Sequence, residues 1–230
     1  MIDVDLITLA HSIDQTMLKP AVGLNAGAEW IAANADQGFA TLCVSPFLVP
    51  MAAGFLADSE TTVCSVAGFP LGYAERAAKA HEAAVLAGLG CAEVDMVINI
   101  GALLEGDESY VLTDIAAVVA AVDAASSGGS IVKVILETGY LQEADIVVGC
   151  RLAEKAGAAF VKTSTGFGPR GASVQDVEIM RATVSPGIGV KAAGGIRDLD
   201  AALDMLAAGA TRLGTSAGIE ILAEATSRGI

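Results

Sequence analysis

One pattern recurs along the chain: a helix-like segment rich in alanine ends at a glycine, and a short run of β-branched and apolar residues follows almost at once. Glycine is favoured just past a helix because it accepts the left-handed backbone conformation there. A short continuous apolar run is typical of a strand that is buried on both faces of a parallel sheet. The glycines that end these segments are Gly38, Gly88, Gly157 and Gly209. The pattern therefore predicts an α/β protein with parallel strands.

These glycines are 50, 69 and 52 residues apart, so each interval has room for two strand–helix units. Each interval holds one further strand-like run, and another lies near the amino terminus. The eight predicted strands are 12–17, 39–44, 61–66, 93–98, 131–136, 160–162, 188–192 and 212–214. Eight units of about 29 residues are typical of a (β/α)8 TIM barrel. We expect residues 1–230 to form one barrel domain. A doubly wound open sheet is the alternative, but the glycine fingerprint that usually follows its first strand is absent.

The charge balance excludes several classes of partner. The chain carries 13 basic and 27 acidic residues, a formal net charge of −14. Clustered lysine and arginine drive binding to nucleic acid and to anionic membranes, so we expect neither partner. The densest apolar stretch, Ile115–Val122, is far shorter than the roughly 20 residues that span a bilayer.

Cysteine and histidine usage points to a cytoplasmic protein without a metal. The four cysteines are scattered with no Cys-x-x-Cys spacing, which is typical of reduced thiols. The two histidines, His11 and His81, lie in unrelated segments, so a zinc site built on a histidine cluster is not expected. The amino terminus has two acids and no basic residue, unlike a secretory signal.

The lysines carry the strongest chemical signal. Lys133, Lys162 and Lys191 lie inside strand-like runs, where lysine is uncommon, although a lone strand-end lysine usually reaches into solvent. Lys162 and Lys191 end neighbouring strands, at the barrel face that carries the chemistry. If both point inward, ammonium groups about 5 Å apart repel by roughly 3 kcal/mol, which would lower a lysine pKa by about 2. Such a lysine can form a Schiff base with a carbonyl.

Asp95, on the fourth predicted strand, would face this pair from across the barrel. A carboxylate there can balance the remaining ammonium and relay protons. The alternative is a buried aspartate that only neutralises a lysine.

Two glycine-containing loops predict a phosphate site. Gly194–Gly195 follows the seventh strand and Gly214–Gly218 the eighth, where these barrels usually bind phosphate through backbone N–H groups. Thr165, after the sixth strand, could add hydroxyl and backbone donors. We also place Asp14, at the end of the first strand, in the substrate site. Cys43 is expected near the mouth of the second strand, within reach of a reactive aldehyde.

Several motifs, in order over nearly the whole chain, resemble the deoxyribose-phosphate aldolase family of class I aldolases. They are His11–Pro20, Cys43–Pro46, Gly68–Gly72, Glu93–Gly101, Lys133–Gly139, Phe160–Gly166, Val190–Arg197 and Gly214–Ser216. The pair Lys-Thr-Ser-Thr-Gly and Lys-Ala-Ala-Gly-Gly-Ile is the most specific part of the resemblance.

The resemblance implies a role for each matching residue. Lys162 would be the Schiff-base lysine, Lys191 the lysine that tunes it, and Asp95 the acid that relays protons. The positions that match the phosphate site are Gly166, Gly194, Gly195 and Ser216. Two features depart from the family: Ala217 stands where many relatives have a second serine, and the C-terminal tyrosine of some relatives is absent from Ser227–Ile230.

The activity implied is reversible cleavage of 2-deoxy-D-ribose 5-phosphate into acetaldehyde and D-glyceraldehyde 3-phosphate, in deoxyribonucleotide catabolism. The partner implied is a small sugar phosphate, and no cofactor or metal is expected. We also expect the chain to form a homo-oligomer, and among the possible assemblies we expect a dimer. Two alternatives stay open: another lysine-dependent sugar-phosphate aldolase, and a barrel that binds a sugar phosphate without catalysis.

Overall fold

A computed structural model describes residues 4–230 and contains a closed barrel of eight parallel strands. Each strand is hydrogen-bonded to the next in sequence, and the eighth pairs with the first. The strands are β1 (Ile13–Met17), β2 (Thr41–Val44), β3 (Thr62–Ala67), β4 (Glu93–Val97), β5 (Ile131–Ile135), β6 (Phe160–Lys162), β7 (Gly189–Ala193) and β8 (Arg212–Thr215). Every predicted strand overlaps an observed one, so the TIM-barrel prediction is confirmed.

Helices surround the barrel, and each strand is followed by at least one of them. They are α1 (Leu6–His11), α2 (Leu24–Asn34), α3 (Val49–Phe55), α4 (Arg76–Gly88), α5 (Ile100–Leu104), α6 (Glu108–Ser126), α7 (Glu143–Lys155), α8 (Val174–Thr183), α9 (Leu199–Ala207) and α10 (Gly218–Ser227). The longest interval between the predicted glycines contains an extra helix, because both α5 and α6 follow β4.

Three of the four predicted helix-ending glycines adopt the left-handed conformation: Gly38, Gly157 and Gly209 have φ of 74°, 89° and 106°. The prediction for Gly88 is wrong. Gly88 is the last residue of α4, and Gly90, with φ of 102°, takes the left-handed position two residues later.

The two faces of the strands are buried in different environments, one against the surrounding helices and the other inside the barrel. On β4, Val94 and Met96 belong to the large apolar core, whereas Asp95 points into the barrel. This alternation follows from the two-residue period of a strand. A small separate cluster of Cys43, Cys64 and Val66 lies away from the main core. The barrel interior at the level of Asp95 is therefore filled by charged side chains.

Strand register brings these charged residues together. Asp95 pairs with Lys133 across β4 and β5, Lys162 pairs with Lys191 across β6 and β7, and Lys191 pairs with Arg212 across β7 and β8. Residues that are far apart in sequence thus face one another inside the barrel.

Helix α6 has 19 residues and is long and apolar enough to cross a bilayer by length and composition. In the structure, Val111, Ile115, Val118 and Val122 form a buried stripe that packs into the core of the barrel. That stripe has the helical spacing of an amphipathic helix on a globular protein.

A buried ion pair joins α6 to α4 and fixes the loop after β3. The Nζ atom of Lys79 lies 2.5 Å from an Oδ atom of Asp114, and both side chains are fully buried. The same Nζ atom donates to the carbonyls of Gly72, in the loop, and of Val97, at the end of β4. Lys79 therefore ties the loop to the rim of the barrel.

Replacement of Asp114 by asparagine should lower the free energy of unfolding by about 3–5 kcal/mol, because it leaves the Lys79 ammonium buried without a counter-ion. Urea unfolding followed by circular dichroism measures the effect. The matched control is Asp123→Asn, since Asp123 is exposed on the same helix and its replacement should change stability by about 0.5 kcal/mol at most. Equal midpoints for the two variants would contradict the assignment.

Candidate active site

Three lysines from neighbouring strands converge on one carboxylate inside the barrel. Asp95 Oδ1 accepts a hydrogen bond from Lys133 Nζ at 2.7 Å. Asp95 Oδ2 accepts from Lys162 Nζ at 2.6 Å and from Lys191 Nζ at 2.7 Å. The structure therefore brings together the residues predicted to form the catalytic centre, and it adds Lys133.

A second row of charges lies beside this centre, around Asp14. Its carboxylate contacts Lys191 Nζ at 2.5 Å and Lys133 Nζ at 3.3 Å, and the other oxygen accepts from Arg212 at 2.6 Å. Glu93 contacts the same Lys133 and Arg212, at 2.6 and 2.9 Å.

The prediction that Asp14 binds substrate is not met by this arrangement. Asp14 is fully buried and does not line the cavity described below. The reason is depth: Asp14 is the second residue of β1, three positions before the strand ends, so its side chain lies below the mouth. Asp14 serves instead as a counter-ion for Lys191.

The cluster holds four cations, Lys133, Lys162, Lys191 and Arg212, against three carboxylates, Asp14, Glu93 and Asp95. With every group ionised it carries one excess positive charge.

The pKa values of the cluster reflect its ion pairs. Burial by itself would raise the pKa of Asp95, but Lys133, Lys162 and Lys191 outweigh burial and hold that pKa well below its usual range. Burial would lower the pKa of Lys191, but the Asp14 and Asp95 carboxylates outweigh it and raise that pKa above its usual value. Repulsion between ammonium groups therefore does not set the pKa of Lys191, because attraction to the Asp14 and Asp95 carboxylates exceeds the repulsion from Lys133.

A cavity of about 520 Å³ opens at the carboxyl ends of the strands, above this cluster. Among Asp95 and the three lysines around it, Lys162 is the residue that lines the cavity, and it is still only 3% exposed. The remaining walls come from the ends of β1, β6, β7 and β8 and from α2, including Leu18, Trp30 and Ile196. Among Asp95 and its three lysines, Lys162 is therefore the one within reach of a ligand in the cavity.

The far side of the cavity offers backbone donors to an anion. Within residues 4–230, the N–H groups of Gly166, Gly194, Gly195 and Ser216 donate to no protein acceptor, and all four residues line the cavity. The three glycines have φ between 84° and 88°, a conformation that side-chain-bearing residues rarely adopt. Free N–H groups in such concave turns bind phosphate. Lys19 and Arg197 also line the cavity and add positive charge.

Thr165 lines the cavity but does not present the donors that we predicted for it. Its N–H and its hydroxyl both donate to the carboxylate of Glu137, and its hydroxyl oxygen accepts from the N–H of Phe167. Both donors of Thr165 are therefore used within the protein.

Cys43 does not line the mouth, contrary to expectation. Its side chain is fully buried beside Cys64, and Leu18 and Phe69 pack over the two thiols. Cys43, Cys64 and Asp95 place three ligand atoms within 4.8 Å of one another. Lys133 Nζ, however, contacts both Cys64 Sγ, at 3.3 Å, and Asp95, so a cation of the protein itself occupies this position.

Residues 14–224 match the family model described as DeoC/LacD family aldolase. The chain belongs to the DeoC/LacD family of aldolases. It is 49% identical over 215 residues to deoxyribose-phosphate aldolase 1 of Bacillus licheniformis, covering 93% of this chain and 94% of that protein. It is 48% identical over 216 residues to the deoxyribose-phosphate aldolase of Thermococcus kodakarensis, covering 93% and 95% of the two chains.

A solved structure of a family member has the same fold. The tetrameric deoxyribose phosphate aldolase from Aeropyrum pernix superposes with a TM-score of 0.87 at 31% identity, covering 97% of this chain and 93% of that one.

Three residues of this DeoC/LacD aldolase site were not assigned a role from the sequence: Lys133, Glu93 and Arg212. Lys133 stood out as a lysine within a strand, and the two-residue alternation on β4 placed Glu93 on the same face as Asp95. A signal was thus present for both. Arg212 gave none, because its role depends on which strands lie beside it. Glu137 follows the fifth predicted strand and was expected near the mouth, but its spacing gave it no role.

Proposed function

We propose that this DeoC/LacD aldolase is a class I enzyme that reversibly cleaves 2-deoxy-D-ribose 5-phosphate into acetaldehyde and D-glyceraldehyde 3-phosphate. The observation that carries the proposal is the position of Lys162: the residue lines the cavity, and its Nζ atom shares Asp95 Oδ2 with Lys191. The names of the relatives support the same substrate.

The first step is attack of the neutral Lys162 amine on the C1 carbonyl of the open-chain sugar. Loss of a proton from Lys162 leaves three cations facing three carboxylates, so the neutral amine gives a balanced cluster. Addition to the carbonyl gives a carbinolamine, and protonation of its hydroxyl followed by loss of water gives a cationic iminium. The iminium withdraws electrons from C2, as a Lewis acid would, so we propose that the reaction uses no metal or other cofactor.

Cleavage of the C2–C3 bond then needs a base for the proton of the C3 hydroxyl. We assign this proton transfer to Asp95 and Lys191 acting through a water molecule. The bonding electrons move into the iminium and leave an enamine on Lys162, while C3 becomes the aldehyde of D-glyceraldehyde 3-phosphate. The enamine takes up a proton at C2, and hydrolysis frees acetaldehyde and Lys162. Acid–base help of this kind is typically worth about 10² to 10⁴-fold.

The phosphate would lie against the free N–H groups of Gly166, Gly194, Gly195 and Ser216. The backbone N–H of Ser216 remains a donor although Ala217 removes a hydroxyl present in many relatives. These local donors bind the anion against the net charge of −14.

Cleavage assays with matched sugars test this assignment. We expect kcat/KM for 2-deoxy-D-ribose 5-phosphate to exceed that for 2-deoxy-D-ribose by about 10²-fold or more, equivalent to about 3 kcal/mol of phosphate interactions. A coupled assay for D-glyceraldehyde 3-phosphate and a direct assay for acetaldehyde measure the two reactions. Equal kcat/KM values for the two sugars would contradict the phosphate site.

The same assays distinguish the two alternative functions. A clear preference for a donor aldehyde other than acetaldehyde would favour another lysine-dependent aldolase, and binding without turnover would favour the non-catalytic barrel.

We also propose that the protein is cytoplasmic and forms a homo-oligomer, and that this homo-oligomer is a dimer. A relative from Aeropyrum pernix is described as tetrameric, which supports self-association in the family. Light scattering coupled to size-exclusion chromatography determines the assembly.

A further inference from the structure

The residue that follows β5 by two positions, Glu137, has an unusual backbone conformation. Its φ and ψ are 58° and 60°, in the left-handed region that costs a residue with a side chain about 1–2 kcal/mol. Hydrogen bonds to the segment that carries Lys162 flank it on both sides: Leu136 N–H donates to the carbonyl of Lys162, and Thr138 N–H to that of Thr163. The kink lies between these two bonds and turns the Glu137 side chain towards the loop after β6.

The Glu137 carboxylate is 1% exposed and has no ion-pair partner within the described part of the chain. Its contacts are with Thr165: Oε2 accepts from Thr165 N–H at 3.2 Å and from the Thr165 hydroxyl, and Oε1 lies 3.3 Å from the same nitrogen. Arg170 lies near enough to interact electrostatically with Glu137, although the two side chains form no ion pair. A buried carboxylate needs hydrogen-bond donors, and Thr165 supplies them. The Glu137 side chain is therefore held against the loop that it contacts.

The contacts of Glu137 decide which loop donors remain free. Thr165 N–H and O–H go to Glu137, and Phe167 N–H goes to the Thr165 hydroxyl oxygen at 3.0 Å. The N–H of Gly166, between these two residues, is left without a protein acceptor and borders the Lys162 cavity. Glu137 itself borders a neighbouring cavity of about 340 Å³ and not the Lys162 cavity, so the loop separates its charge from an anion bound there.

We propose that Glu137 is a positioning residue that holds the 165–167 turn so that the Gly166 N–H faces the substrate phosphate. The proposal rests on the function proposed above. Glu137 then contributes to binding of phosphorylated substrates while it contacts neither the substrate nor Lys162.

The test compares Glu137→Ala with Glu137→Gln, because glutamine keeps an oxygen that accepts hydrogen bonds from Thr165. For Glu137→Ala we expect KM for 2-deoxy-D-ribose 5-phosphate to rise about tenfold, while kcat/KM for unphosphorylated 2-deoxy-D-ribose changes by about twofold or less. For Glu137→Gln we expect KM for the phosphorylated sugar within about threefold of the wild-type value. An equal loss with both sugars, or no change in either variant, would overturn the proposal.

A second pair of variants serves if Glu137→Ala fails to fold. Thr165→Val removes the hydroxyl at nearly constant volume, whereas Thr165→Ser keeps it. We expect Thr165→Val to raise KM for the phosphorylated sugar selectively and Thr165→Ser to restore it; equal KM values in the two variants would overturn the proposal.

The rate of borohydride trapping with acetaldehyde is measured in parallel for every variant, since it reports on Lys162 without any phosphate. It should stay at the wild-type rate in Glu137→Ala. A wild-type protein that neither traps acetaldehyde nor cleaves the sugar phosphate would instead count against the proposed function.

Discussion

Replacement of Lys162 by methionine is expected to reduce kcat for 2-deoxy-D-ribose 5-phosphate cleavage by about 10⁴-fold or more. The variant lacks the amine that forms the iminium, and neither Lys191 nor Lys133 lines the cavity to replace it. Methionine keeps most of the apolar stem of lysine, and removal of one cation leaves three cations facing three carboxylates. The barrel should therefore keep its stability, as urea unfolding will show.

The matched control for this variant is Lys155→Met, because Lys155 is exposed on α7 and has no place in the site. Its activity and its unfolding midpoint should equal those of the wild-type protein. An active Lys162→Met variant would remove Lys162 from the mechanism. An unfolded one would show that the charge balance of the cluster has been misjudged.

Replacement of Asp95 by asparagine should damage both catalysis and stability. We expect kcat to fall by about 10³-fold, because the proton relay from the C3 hydroxyl loses its carboxylate. We expect the free energy of unfolding to fall by about 3–5 kcal/mol, because the four cations of the cluster, three of them buried lysines, then face only two carboxylates. Steady-state assays and urea unfolding measure the two effects.

The stability loss should depend on pH in a defined direction. The pKa of Asp95 is held well below its ordinary value of 3.8, so its contribution to stability is fully present above that pH. The contribution is lost as pH falls through the native pKa. The difference between wild type and Asp95→Asn should therefore be constant near neutral pH and shrink in strong acid. A difference that grows on acidification would contradict the ion-pair assignment.

Two further variants separate the effects of Asp95. Asp58→Asn, at an exposed position, should change neither activity nor stability. Adding Lys133→Met to Asp95→Asn removes one of the unbalanced cations, so it should restore part of the stability without restoring activity.

The barrel could be predicted because its signals are local. A strand buried on both faces reads as an apolar run, and the glycines after the helices mark where such runs begin. Local signals do not fix the exact residue at which a helix ends. Either Gly88 or Gly90 could take the left-handed position after α4, and only the observed end of the helix shows that it is Gly90. The extra helix α5 lies between Gly88 and Gly157, and the length of that interval alone did not predict a further helix.

The site was predictable only in part, because depth and neighbours inside a barrel depend on the stagger of eight strands. Lys162 ends its strand, and Asp95 lies within its own strand at a position whose side chain points into the barrel, so their convergence followed from the fold. Asp14 and Cys43 also point inward, but Asp14 lies below the mouth and Leu18 and Phe69 cover Cys43. The donors of Thr165 were assigned to phosphate because the sequence places Glu137 near the mouth but does not show that its side chain turns towards Thr165.

Lys133 is a second residue whose partners could not be predicted from the sequence. The sequence showed a lysine within a strand, but its partners are on three other strands: Asp14 on β1, Glu93 and Asp95 on β4, and Cys64 on β3. Because of those contacts, the site is a network of ion pairs and not a simple pair of lysines that repel each other. The sign of the Lys191 pKa shift follows from them.

Borohydride reduction in the presence of acetaldehyde, followed by intact-mass measurement and peptide mapping, tests the central assignment most directly. The two-carbon adduct should appear once per chain and map to Lys162, and it should be absent from Lys162→Met. An adduct on Lys191 would keep the aldolase chemistry but reverse the roles of the two lysines. A folded wild-type protein that forms no adduct would contradict the Schiff-base mechanism.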